Sequence, residues 1–194
     1  MMNEQKKVTG VVLAGGQASR MHYQDKGLLL FKQRPLVAYA LAALAPLSAE
    51  LLISANRHIT EYAALGVPVI GDATPNFDGP LAGILAAMQI AQQPILLVAP
   101  CDSPLVETRH LQQLLTGLRA EYDVCVAATG ERLHPVFMAV RVDLQADLQA
   151  FLAAGERKMQ YWLRQQRWST VDFSTDEQLF KNINNPADLM ALQN

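Results

Sequence analysis

The sequence predicts a doubly wound α/β domain with a mostly parallel sheet and helices on both faces. Short apolar runs alternate with stretches of helical periodicity through the first two-thirds of the chain. The runs are continuous rather than alternating with polar residues, the pattern of strands covered on both sides. Three of them end in small or acidic groups: Gly15-Gly16, Asp72 and Asp102. In a parallel sheet those strand ends share one edge, where such folds bind ligands.

The elements follow in order. Val8–Leu13 is the first strand, and apolar residues at helical spacing after Pro35 predict a helix over Leu36–Leu47. Glu50–Ser54 is a second strand, closed by the polar group Asn56-Arg57-His58. A short helix over Thr60–Leu65 stops at Gly66, and Val67–Ile70 is a third strand. Ala73–Pro80, rich in Pro, Asn, Asp and Gly, is a loop. Leu81–Gln92 is a helix of small and apolar residues, Pro94–Ala99 a buried strand, Thr108–Arg119 a helix and Asp123–Ala128 a strand. From Gly130 the pattern changes. His134–Val140 is predicted as an antiparallel strand, Asp143–Ala153 as a helix, Glu156–Arg167 as a basic helix, and Ser169–Phe173 as a late strand. Asn182–Asn185 then precedes a helix from Pro186. The whole reads as one Rossmann-like unit with an irregular C-terminal third, without internal repeats or a linker.

Composition narrows the function. At 194 residues, 51% hydrophobic and 18% charged, the chain can bury roughly 70% of its unfolded surface in one domain. The net charge of −2 comes without any basic block, which argues against nucleic acid as a partner. No apolar run approaches the ~20 residues of a membrane span. Met1–Lys7 is polar and lacks the apolar core of a signal peptide. Cys101 and Cys125 are too few for a disulfide framework. The expectation is a soluble, cytoplasmic protein with no membrane partner.

The opening stretch carries the chemistry. Val11–Ala14 runs into Gly15-Gly16, and Arg20 and Lys26 follow within the same βα unit. Glycines let backbone N–H groups approach a ligand closely, and two cations complement phosphate oxygens. A turn that merely needs positive φ would also use glycine there, and single cations are commonly solvated. Neither G-x-x-x-x-G-K-[ST] nor G-x-G-x-x-G occurs, which sets aside P-loop enzymes and dinucleotide-dependent dehydrogenases. Asp102, fixed after a buried strand, is a hard-oxygen ligand suited to Mg²⁺. Alternatively it caps the helix that follows, a task open also to Ser103 and Thr108. The phosphate loop's need for a nearby cation favours the metal role.

Leu13-Ala14-Gly15-Gly16…Ser19-Arg20-Met21…Asp25-Lys26-Gly27 resembles the signature of the nucleotidyltransferases that build pterin dinucleotides, and more narrowly the molybdenum cofactor guanylyltransferase family. Further matches are Ala55-Asn56-Arg57-His58, Gly79-Pro80-Leu81-Ala82-Gly83, Pro100-Cys101-Asp102-Ser103-Pro104, His134-Pro135 and Asn182-Ile183-Asn184-Asn185-Pro186. The cytidine-transferring relatives typically open Leu-Ala-Ala-Gly instead. The resemblance implies Mg²⁺-dependent transfer of GMP from GTP to molybdopterin, releasing pyrophosphate, with transient contacts to cofactor-synthesis and insertion proteins. It implies that residues 1–128 bind the nucleotide and 129–194 the pterin, within one domain. Leu13, Ala14, Gly15 and Gly16 would hold the nucleotide, with Lys26 on its phosphates. Ser54, Asn56, Asp72 and Gly83 would lie toward the base or ribose. Asp102 would bind Mg²⁺, Arg20 would stabilise the α-phosphate, and Asn182 and Asn184 would meet the pterin substrate. Ser54 stands where the family often has Asn, and His22-Tyr23 where it commonly has Gly.

The acceptor phosphate is already a nucleophile at neutral pH, so no general base is assigned. His58 and His134 are read as structural, and Cys101 as a packing residue. Glu156-Arg157-Lys158 with Tyr161 and Trp162 is read as a phosphorylated-pterin contact, against the alternative of an amphipathic surface helix. Other possible functions are a related transferase using CTP or a sugar phosphate, and a non-catalytic nucleotide- or cofactor-binding assembly protein.

Overall fold

The computed structural model describes residues 7–15, 25–72, 79–183 and 188. Its elements are, in order, β1 (Val8–Leu13), β2 (Leu30–Phe31), β3 (Arg34–Pro35), α1 (Leu36–Leu44), β4 (Glu50–Ser54), α2 (Ile59–Ala63), β5 (Val69–Ile70), α3 (Pro80–Ile90), β6 (Ile95–Pro100), α4 (Thr108–Gly117), β7 (Val124–Thr129), β8 (Arg132–Arg141), α5 (Gln145–Ala153), α6 (Met159–Leu163) and β9 (Trp168–Asp172). Seven strands form one sheet in the order β5-β4-β1-β6-β8-β7-β9. β8 runs antiparallel to both of its neighbours, while the other pairings are parallel. The carboxyl ends of β1, β4, β5 and β6 therefore lie along one edge.

Burial on both faces explains the continuous apolar runs. Val12, Ile53, Leu97 and Ala99 face one core with α1 and α4, through Val37, Leu41, Leu44, Leu111 and Leu114. Val11, Leu52, Leu96 and Val98 face the other, with Leu81, Ile84 and Met88 of α3 and Leu148 and Phe151 of α5. Successive side chains on a strand point to opposite faces, so each must be apolar to close both layers.

Helix α4 settles one open question about Asp102. Its cap is Glu107, whose side chain accepts from the third-residue backbone while the His110 Nδ1 accepts from Glu107 N at 3.0 Å. Asp102, Ser103 and Thr108 are thus not needed as caps, and Thr108 Oγ1 instead donates to Ala43 O at 3.0 Å.

The structure corrects the sequence reading in several places. The predicted helix over 156–167 shrinks to Met159–Leu163, and the strand over 67–70 to Val69–Ile70. The predicted helix from Pro186 lies outside the described residues, apart from the helical residue 188. A hairpin, β2–β3, lies in a stretch to which the sequence reading assigned no element. Its two-residue turn places Lys32 (φ 46°) and Gln33 (φ 63°) in the left-handed region, as a type I′ turn requires. Neither residue favours that region, whereas Asn-Gly does. Replacing Lys32 by Asn and Gln33 by Gly is expected to stabilise the fold by about 1 kcal/mol. The loss of the Lys32 contact over the Phe31 ring partly offsets this gain. A urea midpoint raised at unchanged slope is the check, and a lowered midpoint contradicts it.

β7 and β8 slip register between Val126 and Ala127, because Val126 pairs with Met138 while Ala127 pairs with His134. Pro135, Val136 and Phe137 thus bulge from the ladder, and Pro135 has no N–H to give to it. The bulge lies at the ligand-binding edge.

Candidate active site

A cavity of about 220 Å³ opens at the carboxyl edge, bordered by the ends of β1, β4 and β6 and the start of α3. Two backbone bonds gather these strand ends: Ala14 N donates to Ser54 O at 2.8 Å, and Cys101 N to Leu13 O at 3.0 Å. Leu13, Ala14 and Gly15 consequently line one wall. The φ of Gly15 is not in the left-handed region, so its own backbone conformation does not require glycine. Among the described residues a Cβ there would make only ordinary contacts with the end of β4, the nearest Asn56 Nδ2 at 3.5 Å.

The opposite wall holds Asp102 and Lys26. Asp102 follows β6 in a tight turn, with its side chain 14% exposed. Its Oδ2 lies 3.8 Å from Lys26 Nζ. Its Oδ1 is buried and has no hydrogen-bond partner among the described residues. Burial pushes the Asp102 carboxyl above its ordinary value, and the Lys26 ammonium partly opposes that shift. A buried carboxylate oxygen without a partner is a costly arrangement unless a cation or proton completes it. No three His, Cys, Asp or Glu side chains among the described residues converge as a ready-made metal cage. A single protein carboxylate suits Mg²⁺, which keeps waters and takes other oxygens from substrate phosphates.

Asp72 and Asn56 are a matched pair. Asn56 Nδ2 donates to Asp72 Oδ2 at 2.6 Å, and Asp72 N donates to Asn56 Oδ1 at 2.8 Å. Asp72 lines the cavity; Asn56 does not, and stands behind it. Ser54 and Gly83 also meet at the wall. A Cβ on Gly83 would fall 2.4 Å from Ser54 Oγ, so the bare α-carbon lets α3 pack close to the end of β4. Asn182 reaches the cavity from the far end of the chain, where Ser103 Oγ donates to its Oδ1 at 3.0 Å. Next to it, Ile183 N donates to Asp102 O at 2.9 Å, and the Ile183 side chain is buried with Phe31 and Leu36. Gly16, Arg20 and Asn184, with His22 and Tyr23, lie outside the described residues.

The cavity is also lined by Asp25, Gly79, Pro80, Pro100, Cys101 and Val136, to which the sequence reading gave no site role. Asp25 sits inside the motif quoted around Lys26, and Pro135 was the only signal for the bulge that presents Val136. The Cys101 thiol is buried and held high by burial and by the Asp102 charge, so it is no nucleophile. His134 stacks on Phe180 (centroids 4.3 Å apart) and contacts Thr129 Oγ1 at 3.0 Å. His58 lies at the start of α2 beside Glu61.

The reading of Trp162 as a pterin contact is corrected. Trp162 is fully buried in the α3–α5 core and donates from Nε1 to Asp147 Oδ1 at 2.8 Å. Arg157 spends its guanidinium on the carbonyls of Leu152 and Glu156, and Lys158 lies over the Tyr161 ring. Neither aromatic borders the cavity.

A doubly wound sheet whose edge presents main chain, a lysine and a largely buried carboxylate to one cavity is built to receive a polyanion. Residues 10–171 match the MobA-like NTP transferase domain, and the chain belongs to that family. It is 40% identical over 193 residues to the molybdenum cofactor guanylyltransferase of Polynucleobacter asymbioticus, covering 97% of this chain and 96% of that one. It is also 40% identical over 197 residues to the protein of that name from Bordetella pertussis, covering 99% and 100%. The crystal structure of molybdopterin-guanine dinucleotide biosynthesis protein A from Archaeoglobus fulgidus shares the fold, with a TM-score of 0.77 at 22% identity and coverage of 94% and 95%.

Proposed function

We propose that this nucleotidyltransferase moves GMP from GTP onto a phosphate of molybdopterin, with Mg²⁺, releasing pyrophosphate and forming the guanine dinucleotide. Likeness to guanylyltransferases over nearly the whole chain supports the substrates. Asp102 carries the chemistry: it lines the same cavity as the Gly15 bend, and its buried Oδ1 has no hydrogen-bond partner among the described residues. Asp102 would hold the Mg²⁺, which when bound supplies positive charge to the phosphate oxygens.

The chain's own groups do the rest. The main chain of Leu13, Ala14 and Gly15, with Gly16, receives the triphosphate. Lys26 neutralises charge on the phosphates, and Arg20 on the α-phosphate. Asp72 accepts hydrogen bonds from the base or ribose side, while Asn56 keeps its carboxylate in place. Ser54 and Gly83 shape that end of the cavity. Asn182 and Asn184 meet the pterin-bearing substrate, so residues 1–128 serve the nucleotide and 129–194 the acceptor. Phosphate attacks phosphate in one displacement, and positioning with charge stabilisation suffices without a protein base. Among the described residues no helix is long and apolar enough to cross a membrane. We assign the reaction to the cytoplasm, with transient contacts to proteins that make and insert the cofactor.

Pyrophosphate release measured with GTP, CTP, ATP and UTP in the presence of molybdopterin tests the proposal. GTP is expected to dominate; preference for CTP, or silence with all four, contradicts it. The Asn56–Asp72 pair gives a sharper expectation. Asn56→Ala should raise KM for GTP by about tenfold, the worth of a hydrogen bond to a charged group, with kcat little changed. An unchanged KM removes the pair from nucleotide binding.

A further inference from the structure

The Asp25-Lys26-Gly27 triplet is held by a buried residue from another element. Tyr62, on α2, is fully buried, and its hydroxyl donates to Asp25 Oδ1. The same oxygen accepts from Gly27 N at 3.1 Å, so Asp25 caps the short 3-10 turn Lys26–Leu28. Leu28 N to Asp25 O (3.2 Å) and Leu29 N to Lys26 O (3.1 Å) complete that turn. A Cβ on Gly27 would fall 2.3 Å from the Tyr62 hydroxyl. Glycine is therefore demanded there by the approach of the phenol. Burial, with the hydrogen bond to Asp25, pushes the Tyr62 phenol up, so it stays a donor at any physiological pH. The turn so pinned is the one from which Lys26 reaches to 3.8 Å from Asp102.

We infer that Tyr62 is a positioning residue for the transfer reaction: through Asp25 its hydroxyl fixes the turn that aims the Lys26 ammonium at the nucleotide's phosphates, an inference that rests on the role given to Lys26 above. The three residues of the motif then divide the work as acceptor, cation and gap. A purely structural tyrosine in the α1–β4 core would need packing and one hydrogen bond to any acceptor. This one spends its bond on the residue next to the site's lysine.

The test is a double-mutant cycle on pyrophosphate release with GTP and molybdopterin, using Tyr62→Phe, Lys26→Met and the double variant, with thermal midpoints recorded for each. Tyr62→Phe keeps the ring and removes only the hydroxyl. It is expected to lower kcat/KM about 10- to 100-fold, as misplacement of a catalytic group does. In the Lys26→Met background the same change is expected to lower turnover no further, because the group it aims is gone. Losses that multiply, or Tyr62→Phe turnover within about twofold of wild type, overturn the inference. Undiminished turnover in Lys26→Met alone overturns the reading of Lys26 itself, whereas collapse there with a normal Tyr62→Phe overturns only the role of Tyr62. Should Tyr62→Phe fail to fold, Asp25→Asn and Asp25→Ala replace it. The Asn carbonyl still accepts from Tyr62 and Gly27, so Asn is expected to retain about tenfold more turnover than Ala. Equal losses contradict the latch.

Discussion

Asp102→Ala lowers turnover at saturating GTP and Mg²⁺ by about 100-fold or more, the scale on which removal of a preorganised electrostatic group acts. The change removes the only carboxylate oxygen of the site that is buried without a partner among the described residues. Folding should move the other way in the substrate-free protein. Burial raises the Asp102 carboxyl above its ordinary value of 3.8, so its ionised form opposes folding at neutral pH. The sign follows from proton linkage: a carboxyl raised in the folded state subtracts stability above its folded pKa, and nothing below its unfolded one. Asp102→Asn is therefore expected to be more stable than wild type at pH 7, with the gain fading as the pH falls toward 3.8. Activity and stability parting in this way marks a residue kept for its chemistry. Near-normal turnover in Asp102→Ala removes it from the metal role.

Trp162→Ala destabilises the protein by about 3–5 kcal/mol, the range for emptying a fully buried aromatic site. The indole is 0% exposed, and its Nε1 satisfies Asp147 Oδ1 at 2.8 Å, which loses that donor in the variant. The loss is expected in the urea midpoint, with KM for molybdopterin unchanged well below the melting temperature. A raised KM at retained stability would falsify the burial-only account and restore Trp162 to the acceptor site.

How far the sequence could be read depends on what each residue's partner is. β1 and β4 have the boundaries expected for them, because strands covered on both faces read as mostly apolar runs. The edge position of Asp72 and Asp102 was legible for the same reason, since parallel strands align their ends. Lys32-Gln33 hides a hairpin because neither residue advertises a left-handed turn. Trp162 beside Arg157 and Lys158 reads equally as a core residue or a ligand platform, and only its packing against α3 and α5 decides. Asn56 and Asp72 both stand at strand ends, yet one faces the cavity and the other holds it there, a distinction that exists only in three dimensions. Gly15 shows the opposite case. Its own φ lies outside the left-handed region, and a Cβ there would make only ordinary contacts among the described residues, so neither reason for glycine that the sequence suggests is seen at that position.

A crystal structure of the protein with Mg²⁺ and a non-hydrolysable GTP analogue reaches furthest. The expected result is a cation about 2.0–2.1 Å from an Asp102 carboxylate oxygen, sharing the analogue's phosphate oxygens, with the triphosphate against the main chain of Leu13–Gly15 and beside Lys26. A triphosphate bound away from that bend, or a cation that leaves Asp102 untouched, contradicts it.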